Sequence, residues 1–313
     1  MTQNQNLLRP LFTACGNYLQ WIYDCWKKEL LNNIPYEPIK FKELRIPIGE
    51  NIKHTVYYEP TKSPHLLVSG VTGSGKSVFI KSLLTSIINN INCEIYTIDL
   101  KIVELALFKN CNKVKEYIYD VKLATELIAN LLEECHNRYK LFFEYGVTNL
   151  KDYNKVTNGK KLKYQFIIIE EFVAFNDKNG MKLLRELVSL SRSSGQFLIL
   201  SCQRPDRTVI DGVLKANIDN RIAFKTTDSK NSVIILDQEG AEEIDAVGRF
   251  LYKHNAYIEL CQGYNILDEQ IKSIVSNHLK PIKESKVNTQ VQDRPKSTKI
   301  SNENKSSIKL NKL

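Results

Sequence analysis

The chain has little of what a membrane span needs. Its longest uncharged runs fall short of the roughly 18–20 apolar residues that cross a bilayer. Its start lacks the basic segment, apolar run and small-residue cleavage site of a signal peptide. Its seven cysteines (15, 25, 93, 111, 135, 202 and 261) are odd in number, scattered, and without a C-x-x-C pair. That speaks against a disulfide framework and against zinc-ligand spacing, and fits reduced thiols. The expectation is a cytoplasmic chain with no integral membrane span. No internal repeat is present.

What is there is ordinary in bulk and specific in detail. The 313 residues are 42% hydrophobic and 25% charged, enough for a large core and one or two domains. The net charge is +9, and from Lys280 onward nine Lys/Arg face three Asp/Glu, so the tail supplies +6 of it. Such a surplus suits either a polyanion partner or a solvated tail that aids solubility. From about Pro281 the chain is rich in Lys, Ser, Asn and Gln and reads as disordered.

Residues 7–31 carry apolar groups at helical spacing, including Leu11, Cys15, Leu19, Ile22 and Trp26. That face either packs on the main domain or a neighbour, or rests at a membrane surface. Pro35 and Pro38 then break the chain, and alternating apolar residues around "GEN" predict a hairpin between Arg45 and Glu59. Beyond it the pattern alternates. Strands are expected at 65–69, 93–99, 164–171, 196–202 and 220–224, and helices at 76–90, 120–142 and 180–193. This rhythm argues for an α/β fold, a mostly parallel central sheet with helices on both faces.

The segment "GVTGSGKS" fits G-x-x-x-x-G-K-[ST], follows an expected strand and opens an expected helix. Gly70, Gly73 and Gly75 permit backbone geometry that side chains would block, so the N–H groups of Gly70, Val71, Thr72, Gly73, Ser74 and Gly75 can surround a β-phosphate. Lys76 would neutralise the β/γ-phosphates and Ser77 would take a Mg²⁺ position. ATP and Mg²⁺ are the expected cofactors. "FIIIEE" ends an apolar strand with two carboxylates; Glu170 is assigned to the metal and Glu171 to the attacking water. Gln203, at the end of strand 196–202, is placed to sense the γ-phosphate.

"PHLLVSGVTGSGKS", "IDLKIVEL", "NRYKLFFEYGVTNLKDYN", "IIIEEF", "LSRSSGQFLILSCQRP", "VLKANIDNRIAF" and "ILDQEGAEEI" together resemble the motor domain of the FtsK/SpoIIIE DNA translocases, in the family's order and over about residues 46–278. The resemblance implies a RecA-like P-loop NTPase that forms a ring, usually a hexamer, and pumps double-stranded DNA. Carried over by motif, Lys76 and Ser77 are phosphate and metal residues and Glu171 is the catalytic acid. Arg192 in "LSRSS" matches the arginine finger that reaches a neighbour's γ-phosphate. Arg204 in "QRP" and Lys215 in "KAN" match DNA-facing loop positions, and Lys230 lies near a second such loop. Arg221 also matches the family, without a role that the resemblance supplies.

The chain departs from the pattern in places. Glu170 stands where the family usually has Asp, and Val233 replaces a frequent arginine. Neither a long N-terminal membrane region nor a winged-helix module is evident. The expected layout is a helical segment at 1–40, the motor at 41–280 and a basic tail at 281–313. The expected function is an ATP-driven DNA translocase serving conjugative transfer or maintenance of a mobile element, with a relaxase or transfer-channel protein as partner. The alternative is a related ATPase that energises protein secretion; a non-catalytic ring is disfavoured by the intact "GSGKS" and the paired acids.

Overall fold

The computed structural model describes residues 33–41, 43–175 and 177–280. The amphipathic segment at 7–31 and the basic tail lie outside these residues. In chain order the strands are β1 (Ile34–Pro35), β2 (Ile46–Glu50), β3 (Thr55–Tyr58), β4 (Leu66–Ser69), β5 (Cys93–Asp99), β6 (Val114–Ile118), β7 (Tyr164–Glu170), β8 (Gln196–Cys202), β9 (Asn220–Phe224), β10 (Arg249–His254), β11 (Tyr257–Gln262) and β12 (Tyr264–Asn265). The α-helices are α1 (Lys76–Asn90), α2 (Val121–Glu144), α3 (Leu150–Val156), α4 (Lys178–Leu190), α5 (Gly212–Asn217), α6 (Ser229–Leu236) and α7 (Asp268–Ser276).

Ten strands form one sheet in the order β3-β2-β11-β10-β9-β4-β8-β7-β5-β6. From β9 to β6 the pairings are parallel. The other edge, β10, β11, β2 and β3, is an antiparallel wing. The sheet is thus mostly parallel in its site-bearing half, as the α/β rhythm predicts. The expected hairpin at 45–59 is β2–β3; Asn51 closes its turn by accepting from the backbone N–H of Lys53 and His54.

Both faces of the parallel half are covered. One core packs α1 and α7, through Phe79, Leu83, Ile87 and Ile271, against Val68, Ile168 and Ile199. The other packs α2, α4 and α6, through Ile128, Leu131, Leu184 and Ile235, against Leu67, Ile167 and Leu198. This explains why β7 and β8 read as unbroken apolar runs rather than alternating ones. Helix α4 runs over 178–190 rather than 180–193; it starts at 178 because Asp177 caps it, accepting from the N–H of Asn179 and Gly180. Among the described residues no helix is long and apolar enough to cross a membrane.

The sheet positions the site. The parallel strands all end on one edge, and there the loops after β4, β5, β7 and β8 converge, the usual ligand edge of an open α/β sheet.

Candidate nucleotide site

Strand β4, buried throughout, delivers the chain between β8 and β9 into the glycine loop. Gly73 and Gly75 have φ of +80° and +102°, values that side-chain-bearing residues rarely adopt. A Cβ on Gly75 would also lie 2.6 Å from the Gly248 nitrogen. The loop is braced rather than loose. Val71 N–H donates to the Lys225 carbonyl (2.9 Å), and Gly248 N–H donates to the Ser74 carbonyl (2.9 Å). Helix α1 begins at Gly75 with no side-chain cap and no acid in its first turn. In contrast, Asp120, Asp177 and Asp228 cap α2, α4 and α6. The free N–H groups and positive end of α1 therefore remain available to an anion.

Beneath the loop, Lys76 is buried. Its ammonium donates to Ser201 Oγ (2.7 Å) and Glu170 Oε2 (3.2 Å), and Ser201 Oγ donates to the same carboxylate oxygen (2.8 Å). Glu170 Oε1 and Ser74 Oγ are buried without a partner. Ser77, half-buried, follows Lys76 on the first turn of α1. Among the described residues no cluster of three or more His, Cys, Asp or Glu exists that could hold a metal by itself. A hydroxyl and one buried carboxylate oxygen without a partner do fit Mg²⁺, which is typically bound by one or two protein oxygens plus phosphates and water.

Glu171, just past β7, has φ of +53°, a left-handed conformation for a non-glycine residue. This turn swings its carboxylate across the strand ends. Oε1 accepts from the Gln203 N–H and Oε2 from Lys101 Nζ, both at 3.1 Å. Thr72, Lys101, Glu171, Gln203 and Arg204 line one cleft. The structure thus brings Glu171 and Gln203 to the glycine loop, and Arg204 lines the same cleft.

Two residues of this region lie in the segment "IDLKIVEL" without a role assigned from the sequence. Lys101 pairs with Glu171 from the loop after β5. Asp99, fully buried and in register with Glu170, accepts from Leu105 N–H (3.0 Å) and from the Tyr117 hydroxyl (2.8 Å), anchoring that loop. Burial first, then the bond to Asp99, pushes the Tyr117 hydroxyl well above its ordinary range. A signal for both exists: "IDLK" ends a buried strand on an acid, as "IIIEE" does.

A second cavity, of about 240 Å³, is lined by Gly75 together with Val78, Phe79, Phe224, Gly248, Gln262 and Tyr264 among others. Phe79 packs edge-on against Phe224 and Phe250, with centroids 5.6 and 5.4 Å away. It is an apolar recess on the glycine loop, suited in position and character to a nucleobase. Its walls come from α1, β9 and the loops flanking β10 and β11, so no single motif announces it.

The remaining basic residues separate. Arg192 is exposed and donates to the Lys62 carbonyl (3.1 Å), before β4 and β8 begin. The glycine loop and Glu171 lie where the strands end. Seven-residue β8 separates the two edges, on the order of 20 Å at the rise of an extended strand. Arg192 is therefore not brought to this chain's own site. Lys215, on α5, donates to Asp237 Oδ1 (2.8 Å), and Arg221 (2.6 Å) and Lys253 (2.7 Å) both meet Asp237 Oδ2. Burial alone would raise the Asp237 carboxyl, but these three donors hold it well below the usual carboxylate range. Arg221 also donates to the carbonyls of Lys215, Ile218 and Ile235, and so acts structurally by tying β9 to α5 and α6. Lys230 is exposed at the start of α6 and makes no ion pair among the described residues.

Known proteins resemble this chain in sequence and in fold. The DNA translocase FtsK of Leptospira interrogans is 35% identical over 276 residues, covering 83% of this chain and 29% of that protein. The DNA translocase SpoIIIE of Bacillus subtilis is 33% identical over 257 residues, covering 75% of this chain and 32% of that protein. The chain thus spans about a third of these relatives' length. Among solved structures, the pCW3 conjugation coupling protein TcpA, in a monomer form with ATPγS, superposes with a TM-score of 0.71 at 30% identity, over 78% of this chain and 74% of that one. EssC of Geobacillus thermodenitrificans, at 20% identity and a TM-score of 0.70, shares the fold. Residues 39–256 match the FtsK/SpoIIIE family model, and the chain, a P-loop NTPase fold with its glycine loop intact, belongs to the FtsK/SpoIIIE family.

Proposed function

We propose that this chain is an ATP-driven motor that moves double-stranded DNA through a ring of its own copies, in the transfer or maintenance of a mobile element. The observation that carries the reading is the joining of four parts at one sheet edge. They are an uncapped helix N-terminus, the buried Lys76–Glu170–Ser201 group, the outward-turned Glu171, and a base-sized recess. The names of the relatives, DNA translocases and a conjugation coupling protein, support the choice of DNA as the load.

In this reading the N–H groups of residues 70–75 and Lys76 hold the phosphates, Lys76 turning from Glu170 to meet them. Mg²⁺, held by Ser77 and Glu170, would neutralise charge on the β- and γ-oxygens. Glu171 orients a water and takes its proton, and Gln203 stands where the γ-phosphate would be sensed. Arg192 lies at the opposite edge, so in a head-to-tail ring it completes the next subunit's site rather than its own. Arg204, Lys215 and Lys230 would hold DNA phosphates, since a motor that passes every sequence gains nothing from base contacts. In this reading a relaxase or transfer channel receives the DNA.

The test is ATP hydrolysis by the purified chain with Mg²⁺ and plasmid DNA. Stimulation by double-stranded DNA of several-fold is expected. A rate indifferent to DNA but raised by a polypeptide would contradict the proposal.

A further inference from the structure

The carboxylate of Glu171 joins the loop after β5 to the loop after β8. Its Oε2 accepts from Lys101 Nζ and its Oε1 from the Gln203 N–H, each at 3.1 Å. The next residue, Arg204, is exposed, and its side chain makes no hydrogen bond or ion pair among the described residues. Lys101, Glu171, Gln203 and Arg204 line one cleft of about 550 Å³. Two cations and a single acid face this cleft, so it favours an anion.

The pair in the cleft is built to part, unlike the buried one beneath the glycine loop. Lys101 is 44% exposed and Glu171 13%. Water screens such a pair, so the ammonium can leave the carboxylate at small cost. Only the side chain has to move. Asp99 fixes the backbone of the loop, its carboxylate accepting from the Leu105 N–H and its carbonyl from the Ile102 N–H, both at 3.0 Å. Ile102 has φ of +62°, a conformation that a β-branched residue keeps only where its surroundings impose it. The four-carbon stem of Lys101 stays flexible on that fixed base.

While Lys101 holds Oε2, its ammonium competes with a water for that oxygen. A phosphate in the cleft beside Arg204 offers the ammonium another partner. We infer that Lys101 couples DNA binding to hydrolysis: it restrains Glu171 until a DNA phosphate at Arg204 takes its ammonium, and Glu171 is then free to orient the water. Lys101 acts through Glu171 and is a positioning residue. The inference rests on the ATPase and DNA readings above and names the contact that joins them.

The test is steady-state ATP hydrolysis by the full chain with Mg²⁺, with and without plasmid DNA, in wild type, Lys101→Met and Lys101→Arg. Methionine keeps most of the stem and removes the donor at a half-exposed position, where substitution disturbs folding little. Lys101→Met should raise the DNA-free kcat about three- to fivefold, leave the KM for ATP unchanged and hardly alter the rate at saturating DNA, so that stimulation falls toward one. Lys101→Arg keeps a cationic donor and should keep most of the wild-type stimulation. A kcat lowered alike with and without DNA in Lys101→Met would overturn the inference, because Lys101 would then assist the acid or the nucleotide. Unchanged kcat and unchanged stimulation in that variant would overturn it too. Either result leaves the ATPase and DNA readings standing. A wild-type rate indifferent to DNA would overturn the DNA reading and this inference with it.

Discussion

Lys76 Nζ lies 3.2 Å from Glu170 Oε2, and the two side chains are only 5% and 4% exposed. Removing one member of a buried pair leaves the other charge without compensation, which destabilises far more than removing both. Lys76→Ala should therefore abolish nucleotide binding and also lower the stability of the nucleotide-free protein by about 3 kcal/mol. Lys76→Ala with Glu170→Gln should recover more than half of that loss. Urea unfolding measures both, and equal stability of the single and double variants would refute the pairing.

The cations assigned to DNA differ in readiness. Lys230 is exposed and makes no ion pair among the described residues, whereas Lys215 is bound to Asp237. A phosphate contact releases counterions, so losing one lowers the slope of log affinity against log salt by about 1. Lys230→Ala should weaken binding uniformly across sequences and reduce the slope by that amount per contact. Lys215→Ala should change it less, because its ammonium must first leave Asp237. A larger change for Lys215→Ala, in titrations across salt concentrations, would contradict this order.

His65 supplies a pH dependence. It is buried, its Nε2–H donates to the Val188 carbonyl (2.9 Å), and its Nδ1 accepts from the Leu198 N–H (3.1 Å). Burial, partly offset by the Val188 bond and aided by the charge of Arg192, pushes its pKa down to about 3. A depressed pKa means that the folded state resists protonation. The contribution is fully present above the ordinary histidine value of about 6.5 and is lost as pH falls toward the folded value. The stability difference between wild type and His65→Gln should be largest near pH 7.5 and shrink steadily toward about pH 4. A difference constant over that range would rule this out.

Much of the site-bearing half is legible in the sequence, for physical reasons. Strands β5, β8 and β9 and helix α1 have the bounds expected from the sequence, because buried parallel strands carry unbroken apolar runs and glycines mark the turn into α1. The antiparallel wing is not legible beyond its hairpin. In β10 and β11 charged and half-buried residues interleave, so neither run stands out against a loop. Helix α7 escapes because only Ile271 and Val275 of its residues are buried. Glu171 and Gln203 can be found because each follows a strand, and those strands flank one another at the site edge. Their neighbour Lys101 is marked only by the strand-end acid two residues before it, because it acts from a loop that the buried Asp99 holds in place. The ion pair that occupies Lys215 depends on Asp237, twenty-two residues later, at a position whose left-handed φ no pattern of apolar residues reveals.

Cleavage of ATP between two copies of this chain, with Glu171 from one and Arg192 from the next, is tested most directly by mixing two inactive proteins. Glu171→Gln keeps its arginine and loses its acid; Arg192→Ala keeps its acid and loses its arginine. Each alone should hydrolyse ATP at least about 100-fold more slowly than wild type. In an equal mixture, random assembly of a head-to-tail ring pairs an intact acid with an intact arginine at about a quarter of the junctions. DNA-stimulated ATPase activity should therefore return in the mixture toward that fraction. A mixture as inactive as its two components would contradict a site shared between subunits.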